Sequence, residues 1–235
     1  MNKKMTDLRG IARRLVTVLP SPLADIISGA KRAVLNTRSR KSVFTRIAES
    51  NAWDGTESVS GPGSTLEATR LLREALPDLL ARYEIKSLLD VPCGDAYWIT
   101  RVLPERIIYT GGDIVPALIE KARADKGNFG TFAVMDLVTD DLPKADLVMV
   151  RDCFIHMPHA MIKQAIANIK RSGARYLLTT TYPGQADNID IEIGGFRPVD
   201  LQRAPFDLPA SLEIILETEG VSSGKSMALW DVSTL

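Results

Sequence analysis

The 235-residue sequence lacks the features that would place it outside the ordinary globular class. It has only two cysteines, Cys93 and Cys153, which excludes a disulfide framework and suits a reducing cytoplasm. No apolar run reaches the ~18 residues that a transmembrane helix needs. Arg13 and Arg14 interrupt the apolar stretch near the N-terminus, so a signal peptide is not expected. No internal repeat or low-complexity segment is present.

The sequence also lacks a net charge, which argues against a nucleic-acid partner. The charge is unevenly distributed, however. Residues 1–46 carry 11 Lys and Arg against 2 Asp and Glu, a net charge of +9, and the remainder carries 18 against 27, a net charge of −9. The first part of the chain is therefore expected to behave differently from the rest.

The basic N-terminal part is predicted to form three short helices, over residues 6–19, 23–35 and 42–48. Leu8, Ile11 and Leu15 share one face of the first helix, beside arginines, and Pro20 ends it. This extension, residues 1–57, either packs on the main domain or on another subunit, or lies on a membrane surface as basic amphipathic helices do. Residues 58–235 are predicted to form the main domain, as a cytoplasmic protein with peripheral membrane contact as an alternative.

Three successive strand-like runs each lead to a carboxylate. The run before Asp90 is followed by a tight glycine turn, the second ends at Asp113, and the third leads to Asp136. Because parallel strands end at one edge of a sheet, these carboxylates are expected to lie together, as in a nucleoside site. An acid after the second strand can accept hydrogen bonds from both ribose hydroxyls.

Alternating strands and helices predict an α/β fold with a parallel sheet and right-handed crossovers. The predicted strands span residues 86–91, 107–112, 130–135, 145–150, 174–181, 211–218 and 225–232. The predicted helices span residues 66–82, 96–103, 115–125 and 158–171, the first capped by Ser64 or Thr65 with Glu67. The last two strands have no clear helix between them, which indicates an antiparallel hairpin.

The motifs Leu-Asp-x-x-Cys-Gly (residues 89–94) and Gly-x-Asp-Ile (residues 111–114) resemble those of class I S-adenosylmethionine-dependent methyltransferases. The resemblance covers roughly residues 58–233 and extends to the stretches 58–64, 151–156 and 179–182, which are similar to a bacterial subgroup that modifies glycans or glycosides. It implies a Rossmann-like sheet of seven strands with an antiparallel last strand. It also implies S-adenosylmethionine as the cofactor. The implied cofactor-binding residues are Ser60, Gly61, Asp90, Pro92, Cys93, Gly94, Asp95, Trp98, Asp113, Ile114, Asp136, Leu137 and Arg151.

Within that resemblance, three acids have expected roles. Asp113 would bind the ribose diol, Asp90 would lie near the methionine amino group, and Asp136 would accept from the adenine amine. Each residue type also suits a plainer role, since Asp113 could cap a helix and Asp136 could belong to a solvated loop. Trp98 would either close over the methionine end or pack its helix.

The first loop departs from the family pattern. The usual Gly-x-Gly-x-Gly is Pro92-x-Gly94-x-Ala96 in this chain, so only the middle glycine is kept. Pyrophosphate needs close backbone approach at the first two glycines, so Pro92 argues against an NAD-dependent enzyme, the competing α/β interpretation.

Catalytic candidates follow the fourth predicted strand. Both histidines of the chain, His156 and His159, lie there, and His156 is the expected general base because the ordinary histidine pKa is near neutrality. Asp152 would orient the His156 ring. A zinc site made by Cys153, His156 and His159 is disfavoured, because no fourth ligand is evident.

A polar, glycine-bearing insertion follows the fifth predicted strand and is long enough to be a substrate lid. Tyr182, Asn188 and Arg197 are the expected substrate-binding residues. Asp152 with Asp187 and Asn188 is similar to the ligand set of magnesium-dependent O-methyltransferases, so Mg²⁺ is an alternative cofactor, although the sequence does not favour it.

Together these features predict an S-adenosylmethionine-dependent methyltransferase that modifies a sugar or glycan hydroxyl. The low aromatic content, 6%, argues weakly against a flat aromatic acceptor. The alternatives are methylation of a small natural product or lipid, and a non-catalytic cofactor-binding scaffold that docks a partner through its basic N-terminus. Homo-oligomer contact through that segment is also an expectation.

Overall fold

The computed structural model describes residues 40–217 and 224–235, so the helices predicted over residues 6–19 and 23–35 lie outside the described residues. Residues 40–49 (α1) are helical, as the sequence predicted for residues 42–48. The chain from Lys41 to Leu235 forms one compact unit, so residues 41–57 belong to the same unit as the sheet. The predicted division at residues 57 and 58 stays a prediction.

Seven strands form one sheet in the described residues, in the order β3-β2-β1-β4-β5-β7-β6. The strands are β1 (Ser87–Asp90), β2 (Ile108–Asp113), β3 (Thr131–Val134), β4 (Leu147–Val150), β5 (Tyr176–Thr181), β6 (Glu213–Leu216) and β7 (Ser226–Asp231). The first five pair in parallel, and β7 runs antiparallel to both β5 and β6. The predicted sheet with its antiparallel ending is confirmed.

Helices cover both faces of the sheet. They are α2 (Arg70–Arg82), α3 (Pro116–Lys126) and α4 (His159–Arg171). Leu76 of α2 and Ile119 of α3 join one buried cluster with Leu88 of β1, whereas Ile162 of α4 joins the other cluster with Leu89. Neighbouring residues of β1 thus face opposite cores, as in a parallel sheet covered on both sides.

Two predicted helices differ from the structure. The helix predicted over residues 96–103 is a single 3₁₀ turn, Ile99–Arg101, because Ala96 has a φ of +51°, which lies outside the right-handed helical region. The helix predicted from Leu66 begins at Arg70. Thr65 Oγ1 accepts from the Ala68 N–H at 3.1 Å, so it caps a preceding turn rather than the helix itself.

The insertion, defined as residues 182–212, contains no helix or strand but is firmly attached to the sheet. Val199 and Leu201 are fully buried in the core. The Tyr182 N–H donates to Val199 O at 2.7 Å, and the Leu201 N–H donates to Thr181 Oγ1 at 3.2 Å. The second half of the insertion therefore packs as core, while Ile189 and Phe196 of its first half are exposed.

Candidate functional site

The carboxyl ends of β1 and β2 bring two acids to the centre of the sheet. Asp90 ends β1, Asp113 ends β2, and β1 lies between β2 and β4, where the strand order reverses. Ligands of open α/β sheets bind outside the strand ends at such a reversal. Asp90 is 4% exposed and Asp113 is 5% exposed, so both residues are buried at this edge of the sheet.

Each of these acids has protein donors and unused acceptor capacity. Asp113 accepts from the Gly94 N–H at 3.0 Å through Oδ2 and from the Val115 N–H at 2.9 Å through Oδ1. Asp90 Oδ2 accepts from the Tyr109 hydroxyl at 2.9 Å. In the described part of the chain Asp90 Oδ1 has no hydrogen-bond partner, and it is not sealed from solvent. Since a carboxylate offers about four acceptor positions, both residues can bind a ligand as well.

The charge at this edge suits a cationic ligand. Burial raises the pKa of Asp90 to about 7 and that of Asp113 to about 6. Cys93 lies close to Asp90, Asp95 and Asp113, and burial followed by these three charges raises the pKa of its thiol well above the ordinary value. A cation bound beside these carboxyl groups would favour their ionised forms.

The first loop is covered by the segment that precedes α2. Gly94 has a φ of +56°, and a Cβ added there would lie 2.0 Å from Ser60 Oγ. The Ser58 hydroxyl donates to Asp95 Oδ1 at 2.8 Å. The structure therefore places Ser60 and its neighbour Gly61 beside the loop that carries Gly94, and explains why this glycine is the one that the loop keeps.

The third predicted acid, Asp136, lies two residues after the end of β3. Its Oδ1 accepts from the Val138 N–H at 2.9 Å, and its own N–H donates to Asp140 at 2.9 Å. The side chain of Leu137 is buried in the core, and its carbonyl accepts from Asn168 at 2.8 Å. Asp136 is thus held in a turn at the same edge, and its proposed contact with adenine stays a prediction.

A group of four charges, here called the ion cluster, lies beyond β4, with Arg151 and Glu217 buried and Asp152 and Lys225 partly buried. Arg151 Nε is 2.6 Å from Glu217 Oε1, and Arg151 Nη1 is 3.3 Å from Asp152 Oδ2. Lys225 Nζ is 2.7 Å from Asp152 Oδ2 and 3.4 Å from Glu217 Oε2. Burial opposes the ionisation of Asp152, but Arg151 and Lys225 outweigh it and lower the Asp152 pKa. The ion cluster is electrically balanced.

The ion cluster also contacts Trp98 and the segment that precedes α2. The Arg151 guanidinium lies 5.5 Å from the centre of the Trp98 ring, and Arg151 Nη2 donates to Gly63 O at 2.7 Å. Trp98 is 7% exposed within one of the two cores. Arg151 therefore joins β4, the segment before α2 and the end of β6 into one wall.

His156 lies in a 3₁₀ turn, Phe154–His156, between β4 and α4. Its Nδ1 is 2.7 Å from Gly195 O, and its ring stacks on Trp53 with centroids 4.8 Å apart and planes at 23°. Because a carbonyl only accepts, Nδ1 must carry the proton, which leaves Nε2 basic. Among the described residues Nε2 has no hydrogen-bond partner, and this atom is accessible to solvent. Burial lowers the His156 pKa, so the ring is neutral at neutral pH.

Comparison with solved structures identifies the fold. The chain matches magnesium protoporphyrin IX methyltransferase of Synechocystis PCC 6803, solved with bound S-adenosylmethionine, with a TM-score of 0.55 and 14% identity over 81% of this chain and 95% of that one. The S-adenosylmethionine-dependent methyltransferase SibL matches with a TM-score of 0.52 and 13% identity over 69% and 55%. The chain has the class I methyltransferase fold.

The chain spans 66% of the methyltransferase domain of bacterial CtHen1, with a TM-score of 0.44 and 16% identity over 50% of this chain. No protein-family model and no curated protein matches the sequence. In residues 40–217 and 224–235, no helix has the length and apolar character needed to cross a membrane.

Within this methyltransferase fold, two predicted substrate-binding residues make hydrogen bonds that hold the insertion in place. Arg197 is 5% exposed, and its guanidinium donates to three backbone carbonyls. The Asn188 amide donates to Asp200 O and Ala204 O, both at 2.8 Å, and accepts from the Asp200 N–H at 2.9 Å. These polar groups hold the insertion together, and the contact of Arg197 and Asn188 with substrate stays a prediction.

The prediction that Asp152 orients the His156 ring is wrong, because the hydrogen-bond partner of Nδ1 is a backbone carbonyl. Gly195 O occupies the Nδ1 position, while Asp152 binds Lys225 and receives the Thr180 hydroxyl at 3.4 Å. Tyr182 stays a substrate-binding prediction. It is half-buried, and burial, together with Asp152, raises its pKa to about 12, so the phenol remains protonated.

The predicted metal ligands are not assembled. Across the described residues, no group of three or more His, Cys, Asp or Glu side chains is arranged to hold a metal ion. In the magnesium set, Asn188 is committed to the insertion, Asp187 is exposed, and Lys225 supplies the cation at Asp152. In the zinc set, the His159 ring packs edge-on against Phe206, with centroids 5.1 Å apart.

Sequence reasoning missed four residues of the candidate site. They are Trp53, Gly195, Glu217 and Lys225. Trp53 lies in the segment assigned to the N-terminal extension. Glu217 directly follows β6 and Lys225 directly precedes β7, both far along the chain from Asp152. The available signal was Trp53, which is followed by the turn sequence Asp54-Gly55. This pattern indicates a packed aromatic side chain but does not identify the residue on which it packs.

Proposed function

We propose that this protein is an S-adenosylmethionine-dependent methyltransferase that methylates a hydroxyl group of a sugar or glycan. The observation that carries the proposal is the hydrogen bonding of the His156 ring. The ring has a fixed Nδ1–H tautomer and a basic, accessible Nε2, and it follows β4 in a methyltransferase fold. Transfer to an aliphatic hydroxyl needs a base of this kind.

The residues at the cofactor edge fit S-adenosylmethionine. Asp113 lies at the end of β2 with acceptor capacity left for a ribose diol, and Asp90 Oδ1 is free to accept from an ammonium. The raised pKa values of both groups are explained by burial, and a ligand that carries a sulfonium and an ammonium would lower them. Pro92 at the first glycine position is compatible with a ligand that has no pyrophosphate.

The chemistry requires little from the chain beyond alignment and proton removal. The bound cofactor supplies an electrophilic methyl group. His156 Nε2 would accept the hydroxyl proton as the acceptor oxygen attacks in line, and Gly195 O would hold the resulting imidazolium through Nδ1–H. The low pKa that burial gives His156 keeps it neutral before the reaction at neutral pH.

The choice of a sugar hydroxyl rests on the similarity of the motifs at residues 58–64, 151–156 and 179–182 to a glycan-modifying subgroup. An acceptor with an apolar part, such as a lipid or a small natural product, is the second candidate. Phe196, whose ring centroid is 6.0 Å from that of His156, is 63% exposed, and Ile189 on the same insertion is 67% exposed. Exposed apolar side chains beside a base favour an acceptor that covers them.

Two measurements test the proposal in sequence. Calorimetric titration with S-adenosylmethionine and S-adenosylhomocysteine should show binding of both, and absence of binding would refute it. Methyl transfer from labelled S-adenosylmethionine should then be followed with soluble saccharides, glycolipids and apolar alcohols. Transfer to saccharides supports the first candidate, transfer only to apolar alcohols supports the second, and binding without any transfer supports a non-catalytic scaffold.

A further inference from the structure

The turn that carries His156 is held by one short stretch of the insertion, residues 194–197. The Gly194 N–H donates to His156 O at 2.9 Å, and the Arg197 N–H donates to Ile155 O at 3.1 Å. Gly195 O meets His156 Nδ1 between these two bonds. The carbonyl that sets the His156 tautomer is thus positioned by a local, ladder-like pairing with the turn itself.

The Arg197 side chain holds the same turn at both ends. Nη1 donates to Phe154 O and Nη2 donates to Met157 O, both at 2.6 Å, while Nε donates to Ile189 O at 3.1 Å. Phe154 begins the 3₁₀ turn and Met157 follows its last residue. A planar guanidinium with fixed donor directions can bridge two carbonyls in this way, and an ammonium cannot match all three contacts.

Burial of the Arg197 guanidinium carries a desolvation cost. Arg197 is 5% exposed, its guanidinium donates to three backbone carbonyls, and burial lowers its pKa although the charge of Asp190 partly offsets this. Burial of a cation costs stability, even when carbonyls satisfy its N–H groups. Costs of this kind are commonly found where a side chain serves a site rather than the fold.

We propose that Arg197 is the positioning residue for His156, and that it fixes the Nδ1–H tautomer by holding the turn 154–157 against Gly195 O. Its catalytic consequence rests on the proposed function, but the tautomer does not. If residues 154–157 shift relative to residue 195, Nδ1 loses its acceptor, and the neutral ring is free to carry its proton on Nε2. The base would then point a protonated nitrogen at the acceptor hydroxyl.

The test is a comparison of the Arg197→Lys variant with the wild type by ¹⁵N NMR of the imidazole nitrogens at pH about 8.5, where ordinary histidines are neutral. The chain has only two histidines, so a His159→Gln variant assigns the signals. We expect His156 to carry its proton on Nδ1 in the wild type and largely on Nε2 in Arg197→Lys. The matched control is Arg203→Lys in the same insertion, where the side chain is 55% exposed and forms an ion pair with Asp200.

Kinetics supply the second readout. Arg197→Lys should lower kcat by about tenfold or more, with KM for S-adenosylmethionine unchanged, as expected when base catalysis is impaired. Retained affinity for S-adenosylhomocysteine shows that the variant is folded. Should it not fold, Gly194→Ala perturbs the same contact, because the added Cβ would lie 2.9 Å from Val43 Cγ1 and 3.1 Å from Ile47 Cδ1.

The proposal is overturned if His156 keeps its proton on Nδ1 in Arg197→Lys, or on Nε2 in the wild type. If the wild type transfers no methyl group to any acceptor, the proposed function fails, but the NMR comparison still decides whether Arg197 sets the tautomer.

Discussion

The two halves of the site are built from different kinds of contact. At the half proposed to bind the cofactor, Asp90 and Asp113 are the last residues of two paired parallel strands, so the sheet brings both to one edge. At the half proposed to bind the acceptor, His156 depends on Trp53 and Gly195, which lie more than 30 residues away on either side. The first half is therefore determined by the sheet, whereas the second is determined by loops that pack on each other.

This difference predicts that substitutions in the two halves have separable effects. Changes at the strand ends should act on cofactor affinity, and changes at the turn and the insertion should act on turnover. The largest expected effect belongs to the second half.

Replacement of His156 by Ala should lower kcat by roughly 10²–10⁴, the range for loss of a general base. Cofactor affinity should stay within about twofold, because His156 has no contact with Asp90 or Asp113. Steady-state kinetics and calorimetry measure the two quantities. His159→Gln is the control, since His159 packs on Phe206 outside the proposed site. A large loss of cofactor affinity in His156→Ala would remove the distinction between the halves.

The Asp113→Ala variant should weaken S-adenosylmethionine binding by roughly 1–3 kcal/mol, because charge-assisted hydrogen bonds are lost. The melting temperature should fall as well, since Asp113 accepts from the N–H groups of Gly94 and Val115. Calorimetry and thermal unfolding measure the two effects. Asp141→Ala, an exposed acid after β3, is the control for charge alone. Unchanged affinity with a lower melting temperature would reduce Asp113 to a structural cap.

Most of the fold and of the cofactor half could be predicted from the sequence, because both follow from local patterns. Strand runs, turns and helix periods are readable within about ten residues, and an acid at a strand end has only one edge on which to lie. The internal hydrogen bonds of Arg197 and Asn188 could not be predicted, for the opposite reason. A polar side chain in a polar insertion reads as solvent-facing, and only the folded chain shows which carbonyls it reaches.

Gly94→Ala should destabilise the protein by about 1–3 kcal/mol, because a left-handed φ is costly for alanine and the added Cβ meets Ser60 Oγ. In a Ser60→Gly background the steric part disappears, and about 1 kcal/mol from the φ preference should remain. Chemical denaturation of the four proteins in this cycle measures the coupling. Strictly additive effects would mean that residues 58–61 do not cover the first loop.

The smallest expected effect is a pH dependence of cofactor affinity. Burial raises the pKa of Asp90 to about 7, and a bound cation favours its ionised form. Affinity for S-adenosylmethionine should therefore rise roughly threefold between pH 6.5 and 7.5, with proton release on binding. The slope should be lost in Asp90→Asn, and an equal slope in that variant would contradict the assignment.

The free protein should show the opposite trend. A carboxyl group whose pKa is raised by folding binds more protons in the folded state, so stability falls as pH rises from the ordinary value of 3.8 toward about 7. Denaturation curves at pH about 5 and about 7.5, without ligand and with saturating ligand, would show the two signs together.

The orienting group of His156 is a backbone carbonyl, and this has a consequence for how the site can change. A carboxylate in that position could be lost by a single base change, but every amino acid at position 195 supplies the same carbonyl. The chemical identity of this acceptor is therefore independent of the side chain at position 195, whereas its placement is sensitive to chain length. A one-residue insertion or deletion between Tyr182 and Gly194 would slide the carbonyl away from Nδ1. Variation in this insertion should accordingly proceed by exchange of side chains such as Ile189 and Phe196, with its length held constant.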